Sequence, residues 1–286
     1  MPSFLHLHQL DALLLSLLRL VVWLLLLCVV FLPFERLFAV NRQNILCKSF
    51  AGDIGFYLIS GLVPGLLLSL PLGLAALGTH AVVPWRVQAA AASLPLWTRA
   101  AAALVVGEIG FYWGHRWSHE IPLLWRFHSV HHNPTQLYFL ISARAHPIDN
   151  AFIRLCGLVP VYALGIATPL TPSGGLISAL LVLAITMWGF LIHANLRLRL
   201  GPLEWLISTP AFHHWHHTLA EPRNRNFASM LPVIDWLFGT YHLPRKAWPT
   251  AYGIEGELPR SLPGQLIHPF WLHPSTPALA RPAADG

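Results

Sequence analysis

Charge is what this chain has least of. Only 10% of its 286 residues are charged, with 12 acids among them, where a soluble domain carries about 25%. That excludes a water-exposed globule. The 55% hydrophobic content and mean hydropathy of +0.55 exclude disorder, which needs low hydrophobicity and high net charge. Cysteine is also scarce. Cys28, Cys47 and Cys156 lie far apart with no C-x-x-C, so neither a disulfide framework nor a thiolate metal site follows, and packing is their expected role. The net charge of +6 would point to nucleic acid if the basic residues clustered with aromatics on a polar face. They are scattered among apolar segments, so membrane topology explains them and no nucleic-acid partner is expected. Histidine is abundant: 17 against 18 lysines and arginines together.

About 20 mostly apolar residues cross a bilayer as a helix. Residues 12–32, interrupted only by Arg19, meet that length and lack the basic start of a cleaved signal. Residues 54–77 form a second run, with Pro64 and Pro71 placed to kink it. Residues 97–112, 151–168 and 175–192 give three more, the last two joined by Thr-Pro-Ser-Gly-Gly at 171–175, read as the tight turn of an antiparallel hairpin. The expected fold is all-α: an integral membrane bundle of about five spans. Residues 1–98 would be transmembrane helices, 99–245 a catalytic region, and 246–286 a Pro/Trp-rich tail on the membrane surface.

Basic residues orient the bundle. With loops 33–53 and 113–150 and everything after 193 on one side, that side holds fourteen lysines and arginines, among them Arg36, Arg42, Lys48, Arg116, Arg126, Arg144 and Arg281; the other holds Arg86 and Arg99. The bias makes the crowded side cytoplasmic.

Three histidine clusters fall on that side: His115 and His119; His128, His131 and His132; His213, His216 and His217. Residues at i, i+3 and i+4 share a helix face, so each cluster aims two or three imidazoles into one volume. Eight rings exceed one zinc site, which uses three or four ligands, and fit a two-metal centre. Imidazole suits zinc, copper, iron and nickel alike. A histidine-rich di-iron site leads; a di-zinc hydrolase or lyase and a histidine-rich metal transporter remain as alternatives. His214 is off the pattern, and His6, His8, His80, His242, His268 and His273 are isolated.

The clusters and their surroundings, Tyr-Trp-Gly-His-Arg, Leu-Trp-Arg-Phe-His-Ser-Val-His-His, His-Pro-Ile-Asp, His-Ala-Asn-Leu and Asp-Trp-Leu-Phe-Gly-Thr-Tyr, resemble the histidine boxes of the fatty acid hydroxylase (sterol desaturase) superfamily over about 100–245. The bacterial sterol desaturase and ether monooxygenase branches are the most similar. The resemblance implies a membrane enzyme in which two iron ions, O2 and two external electrons hydroxylate or desaturate a lipid C–H bond, in a bacterial inner membrane. It also implies His193 as a ligand with Asn195 in support, and His146 as a ligand or as a partner to one. Where relatives often read Asn-Tyr-Gly, this chain has Asn226-Phe227-Ala228, a departure expected to touch substrate contacts more than metal.

Glu108, Tyr112, His115 and His119 fall at spacings of 4, 3 and 4, one helical stripe, so Glu108 is expected to brace a ligand ring. Asp149 and Asp235 are weaker candidates, with helix capping or arginine pairing as their plainer roles. Arg116 and Arg126 read as interface charges reaching toward lipid headgroups. No haem, flavin or iron–sulfur motif is present, so a separate electron-donor protein is expected. Metal analysis of the purified protein separates the readings: about two irons per chain supports the oxygenase, and zinc in their place sinks it in favour of hydrolysis.

Overall fold

The computed structural model describes residues 2–44, 49–167 and 172–271. Among them it is helical, with one isolated bridge between Thr218 and Tyr252. Cys47, Lys48, Thr168, Thr171, His273 and Arg281 lie outside the described residues.

The two longest helices come first: α1 (Pro2–Leu37) and α2 (Phe50–Val82), the latter one helix through both Pro64 and Pro71. Three stretches are long and apolar enough to cross a membrane: Asp11–Leu37, Phe50–Thr79 and Gly174–His193. Leu14, Leu18, Leu25 and Val29 stand exposed on α1 and Leu66, Leu70 and Leu74 on α2, the all-round apolar surface of a helix solvated by lipid.

The short α3 (Trp85–Ser93) leads into α4 (Leu96–Glu120), which ends where Pro122 opens α5 (Pro122–His132). Proline disfavours helix in the residue before it and suits the first helical position, so the chain corners at Ile121 and sets the first two histidine clusters on adjoining helices. A 3-10 turn, Phe139–Ala143, precedes α6 (Pro147–Ala163). The remaining helices are α7 (Pro172–His193), α8 (Pro210–His216), α9 (Val233–Leu237) and α10 (Leu262–Ile267).

The expected run 97–112 lies in α4, and the run 151–168 lies in α6 up to Ala163; these two helices pack on each other. Small residues permit it. A Cβ on Gly110 would meet the Cys156 carbonyl oxygen at 2.1 Å, and one on Gly114 the Cys156 side chain at 2.7 Å, so the backbones touch as in close-packed membrane helices. The turn expected at 171–175 is helical over its described part. Pro172 starts α7, so the 172–175 stretch is its first turn. Helices α6 and α7 meet through Val161, Tyr162, Ile177 and Leu181, and a cavity separates them closer to the histidines.

A second core joins Leu27 and Tyr57 to Leu137–Ile141, Phe190, Leu196 and Tyr252, so packing crosses the boundaries expected at 98 and 245. The tail contributes inward groups, Gln265 and the Leu266 carbonyl, as well as exposed Ile267, Phe270 and Trp271. Two of the arginines counted for orientation are interior. Arg144 is ion-paired with Asp53 of α2, and the Arg99 Nε donates to the Ile166 carbonyl at 2.9 Å. Gly110→Ala is expected to lower the thermal unfolding midpoint in detergent, by about 1–3 kcal/mol of overpacking. Gly73→Ala, with nothing within 4 Å of its Cβ, should leave it unchanged or raise it.

Candidate metal centre

All nine histidines expected from the sequence converge in two groups. His115, His119, His128, His132 and His216 form one; His131, His193, His213 and His217 form the other, with ligand atoms in each group within 4.8 Å of one another. Each of the second and third clusters feeds both groups: His131 faces away from its neighbours His128 and His132, and His216 from His213 and His217. None of the nine is more than 7% exposed. Burial, followed for most of them by the neighbouring rings, holds the imidazoles of α4, α5 and α8 below their ordinary range. They are therefore neutral, as ligands must be.

Six of their outward nitrogens are tied down. Nδ1 of His115 donates to the Phe227 carbonyl (2.7 Å), of His131 to the Arg144 carbonyl (2.9 Å), of His216 to the Arg225 carbonyl (2.9 Å) and of His193 to the Gly189 carbonyl (2.7 Å). His128 Nδ1 donates to the Asp149 carboxylate at 2.9 Å, and His119 Nδ1 lies 3.1 Å from the Asn224 side-chain oxygen. With the proton on Nδ1, Nε2 carries a lone pair. Yet the Nε2 atoms of His193 and His131 face each other at 3.2 Å, His193 and His213 lie 2.9 Å apart, and His128 and His132 3.1 Å. His119 Nε2 and His216 Nε2 are buried with no partner at all. Lone pairs that converge in a dry interior repel unless a cation lies between them. Rings about 2.1 Å from a metal would stand roughly 3.0–3.4 Å apart, so the donor set fits a pair of bound transition metals.

The bracing residues differ from expectation in part. Asp149 is the carboxylate that holds a ring, and Ser118 Oγ donates to its other oxygen at 3.2 Å. Burial raises it to about 6, opposed by His131, His115 and that hydroxyl. Glu108 instead accepts the backbone N–H groups of Met230 (2.8 Å) and Leu231 (3.2 Å). Its stripe on α4 grips one segment: Tyr112 bonds Thr240, His115 the Phe227 carbonyl, His119 Asn224. Asp235 secures that segment by accepting the N–H groups of Phe227 and Ala228. The departure at Asn226-Phe227-Ala228 thus sits behind a histidine, which it meets through a carbonyl that any residue supplies.

Asn195 also works at a distance. Its side chain accepts the Val40 and Asn41 N–H groups, and its own N–H donates to Glu35, tying the end of α1 to the end of α7. His146 lies apart from both groups as the N-cap of α6, accepting the Ile148 N–H, with Nε2 donating to the Leu266 carbonyl. His214, off the pattern, bonds the Tyr252 hydroxyl and the Ala194 carbonyl, and burial takes it down to about 4. Arg116 pairs with Glu120, and Arg126 donates to the Trp271 carbonyl.

A cavity opens beside the histidines. His115 and His128 of one group and His131, His193 and His213 of the other line it, with a wall of Phe111, Ile153, Leu158, Leu181, Val182, Ile185 and Ile192.

Residues 100–240 match the family model for fatty acid hydroxylase, a stretch holding all nine histidines. This part of the chain belongs to the fatty acid hydroxylase family. An ornithine lipid hydroxylase of Rhizobium tropici is 37% identical over 178 residues, 62% of this chain and 51% of the relative. An alkylglycerol monooxygenase of Danio rerio is 33% identical over 51% of this chain and 30% of its own length, and a methylsterol monooxygenase of Arabidopsis thaliana 28% identical over 51% and 55%. The chain thus spans about half the length, or less, of these relatives. No solved structure matches it.

Asp149→Asn is expected to weaken metal binding at the five-histidine group about 10–100-fold, as loss of such a carboxylate does, in chelator-competition titration. His146→Ala should bind metal as the unaltered protein does.

Proposed function

We propose that this protein is a membrane oxidoreductase that uses O2 and two externally supplied electrons to hydroxylate or desaturate a C–H bond of a membrane lipid. The observation that carries the reading is that both histidine groups open onto one aliphatic cavity. Iron is the metal proposed for both groups: one held by His115, His119, His128, His132 and His216, the other by His131, His193, His213 and His217. When bound, the metal pair would supply O2 binding and pass on the external electrons, with the balance R–H + O2 + 2 e⁻ + 2 H⁺ giving R–OH and water, or, for desaturation, the alkene and two waters.

The chain's own residues do the rest. Asp149, Glu108, Asp235 and the carbonyls at 144, 225 and 227 keep the rings turned inward before any substrate arrives, so geometry is set in advance. The aliphatic wall binds a lipid chain and excludes water from the reacting centre. A hydrated ion in transit would need polar groups along its whole path, and much of the wall away from the histidines is apolar, which favours an oxygenase over a transporter. The hydroxylase and monooxygenase names of the relatives favour it over a di-zinc hydrolase. The three apolar helices and the basic bias support an integral membrane protein with the metal groups on the cytoplasmic side, and the bacterial relative supports an inner membrane. The electrons come from a separate donor protein. Residues 1–98 chiefly anchor, 99–245 carry the chemistry, and 246–286 cover it.

His131→Ala is expected to abolish lipid oxidation, by about 100-fold or more, in membranes where it is expressed at the normal level. Mass spectrometry of lipids from cells grown under 18O2 checks this: the unaltered protein yields lipids with one added 18O or two fewer hydrogens, and a variant with the same yield would refute the assignment.

A further inference from the structure

The cavity contains one feature that carbon–hydrogen chemistry does not require. Arg154, in the middle of α6, lines it, and is the only lysine or arginine to do so among the described residues. The interior arginines elsewhere are neutralised or bonded: Arg144 by Asp53, and Arg99 at the Ile166 carbonyl. Arg154 has no ion pair and no hydrogen bond among the described residues. Asp149 is the only carboxylate in the lining, and it is committed to His128 and Ser118. Arg154 is half-buried rather than enclosed, but a guanidinium facing a cavity wall of Ile153, Leu158 and Leu181 without a counter-charge is still costly, and such residues within membrane bundles mark substrate paths. Its planar fork matches carboxylate and phosphate, both of which it binds through two parallel hydrogen bonds. Asn150, one turn earlier on the same face, adds an amide to the same wall.

We infer that Arg154, with Asn150 beside it, anchors the acidic headgroup of the lipid substrate. Arg154 stands five residues along α6 from Asp149, about 7.5 Å of helix rise, and Asp149 holds His128. An acidic group at Arg154 therefore brings to the histidines a carbon near that group, not the far end of an acyl chain. The position of oxidation rests on the proposed lipid oxidation; the binding of an acidic lipid does not.

The test uses the full-length protein in detergent micelles as unaltered, Arg154→Gln and Arg154→Lys forms, matched for metal content and melting temperature. Three probes carry the same acyl chain: an N-acyl amino acid with a free carboxylate, a phosphatidic acid, and an uncharged diacylglycerol. Binding is read by native mass spectrometry, and oxidation by product analysis after O2 and a chemical reductant standing in for the donor protein are added. The unaltered protein should bind at least one acidic probe about tenfold or more tighter than diacylglycerol. Arg154→Gln should erase that ratio without changing diacylglycerol binding, and Arg154→Lys should restore part of it. The two acidic arms distinguish a carboxylate from a phosphate. An Arg154→Gln protein that keeps the acidic preference, or an unaltered protein with none, overturns the anchor. An Arg154-dependent preference with no oxidation of any probe leaves the anchor standing and sinks the oxidase reading. Oxidation indifferent to Arg154 does the reverse.

Discussion

The rest of the structure depends on a repulsion. Nine neutral imidazoles are buried with their Nε2 atoms turned toward one another, in places about 3 Å apart, and lone pairs held so closely need a cation between them. The protein meets this constraint from outside the cluster. Carbonyls at Gly189, Arg144, Arg225 and Phe227 and the carboxylate of Asp149 take the Nδ1 protons. Each of these five rings thereby loses the freedom to turn its lone pair away.

Those acceptors come from segments that have no other reason to lie near one another. The stripe Glu108, Tyr112, His115 and His119 on α4 grips residues 224–240 along its length, so the loop that braces the rings is itself held by the helix that supplies two of them. Arg144 plays a similar part across the molecule. Its carbonyl accepts from His131, while its side chain reaches Asp53 of α2 and Gln265 of α10. A membrane helix, the histidine groups and the tail are thus mechanically one unit.

Between α6 and α7 the packing relaxes into the cavity. Close glycine contacts pull α6 onto α4, and this draws it away from α7 beside the histidines. The same displacement carries Asp149 to His128 and puts Arg154 in the wall. The bracing of His128, the cavity and the arginine in its wall are three consequences of a single helix position.

Much of this was legible in the chain itself. Apolar runs broken by few charges dictate membrane helices, because only helix satisfies backbone groups in lipid. The i, i+3, i+4 histidine spacing dictates convergence, because helix geometry leaves those rings no other shared direction. His193 emerged from resemblance alone, since one histidine at the end of an apolar helix has no spacing to read. The supporting residues were decided by tertiary structure. Spacing joins Glu108 to His115, but the carboxylate turns to the Met230 and Leu231 amides; Asp149 has the look of a helix-start acid, and instead holds a ring from another helix. His146 has the context of a ligand, yet Pro147 begins a helix that it caps. In each case the partner is far away in sequence, and a hydrogen bond is settled by which groups the packed chain brings within 3 Å. The sequence alone determined which residues gather, and only the packing of α4, α5, α6 and α8 decided what each of them touches.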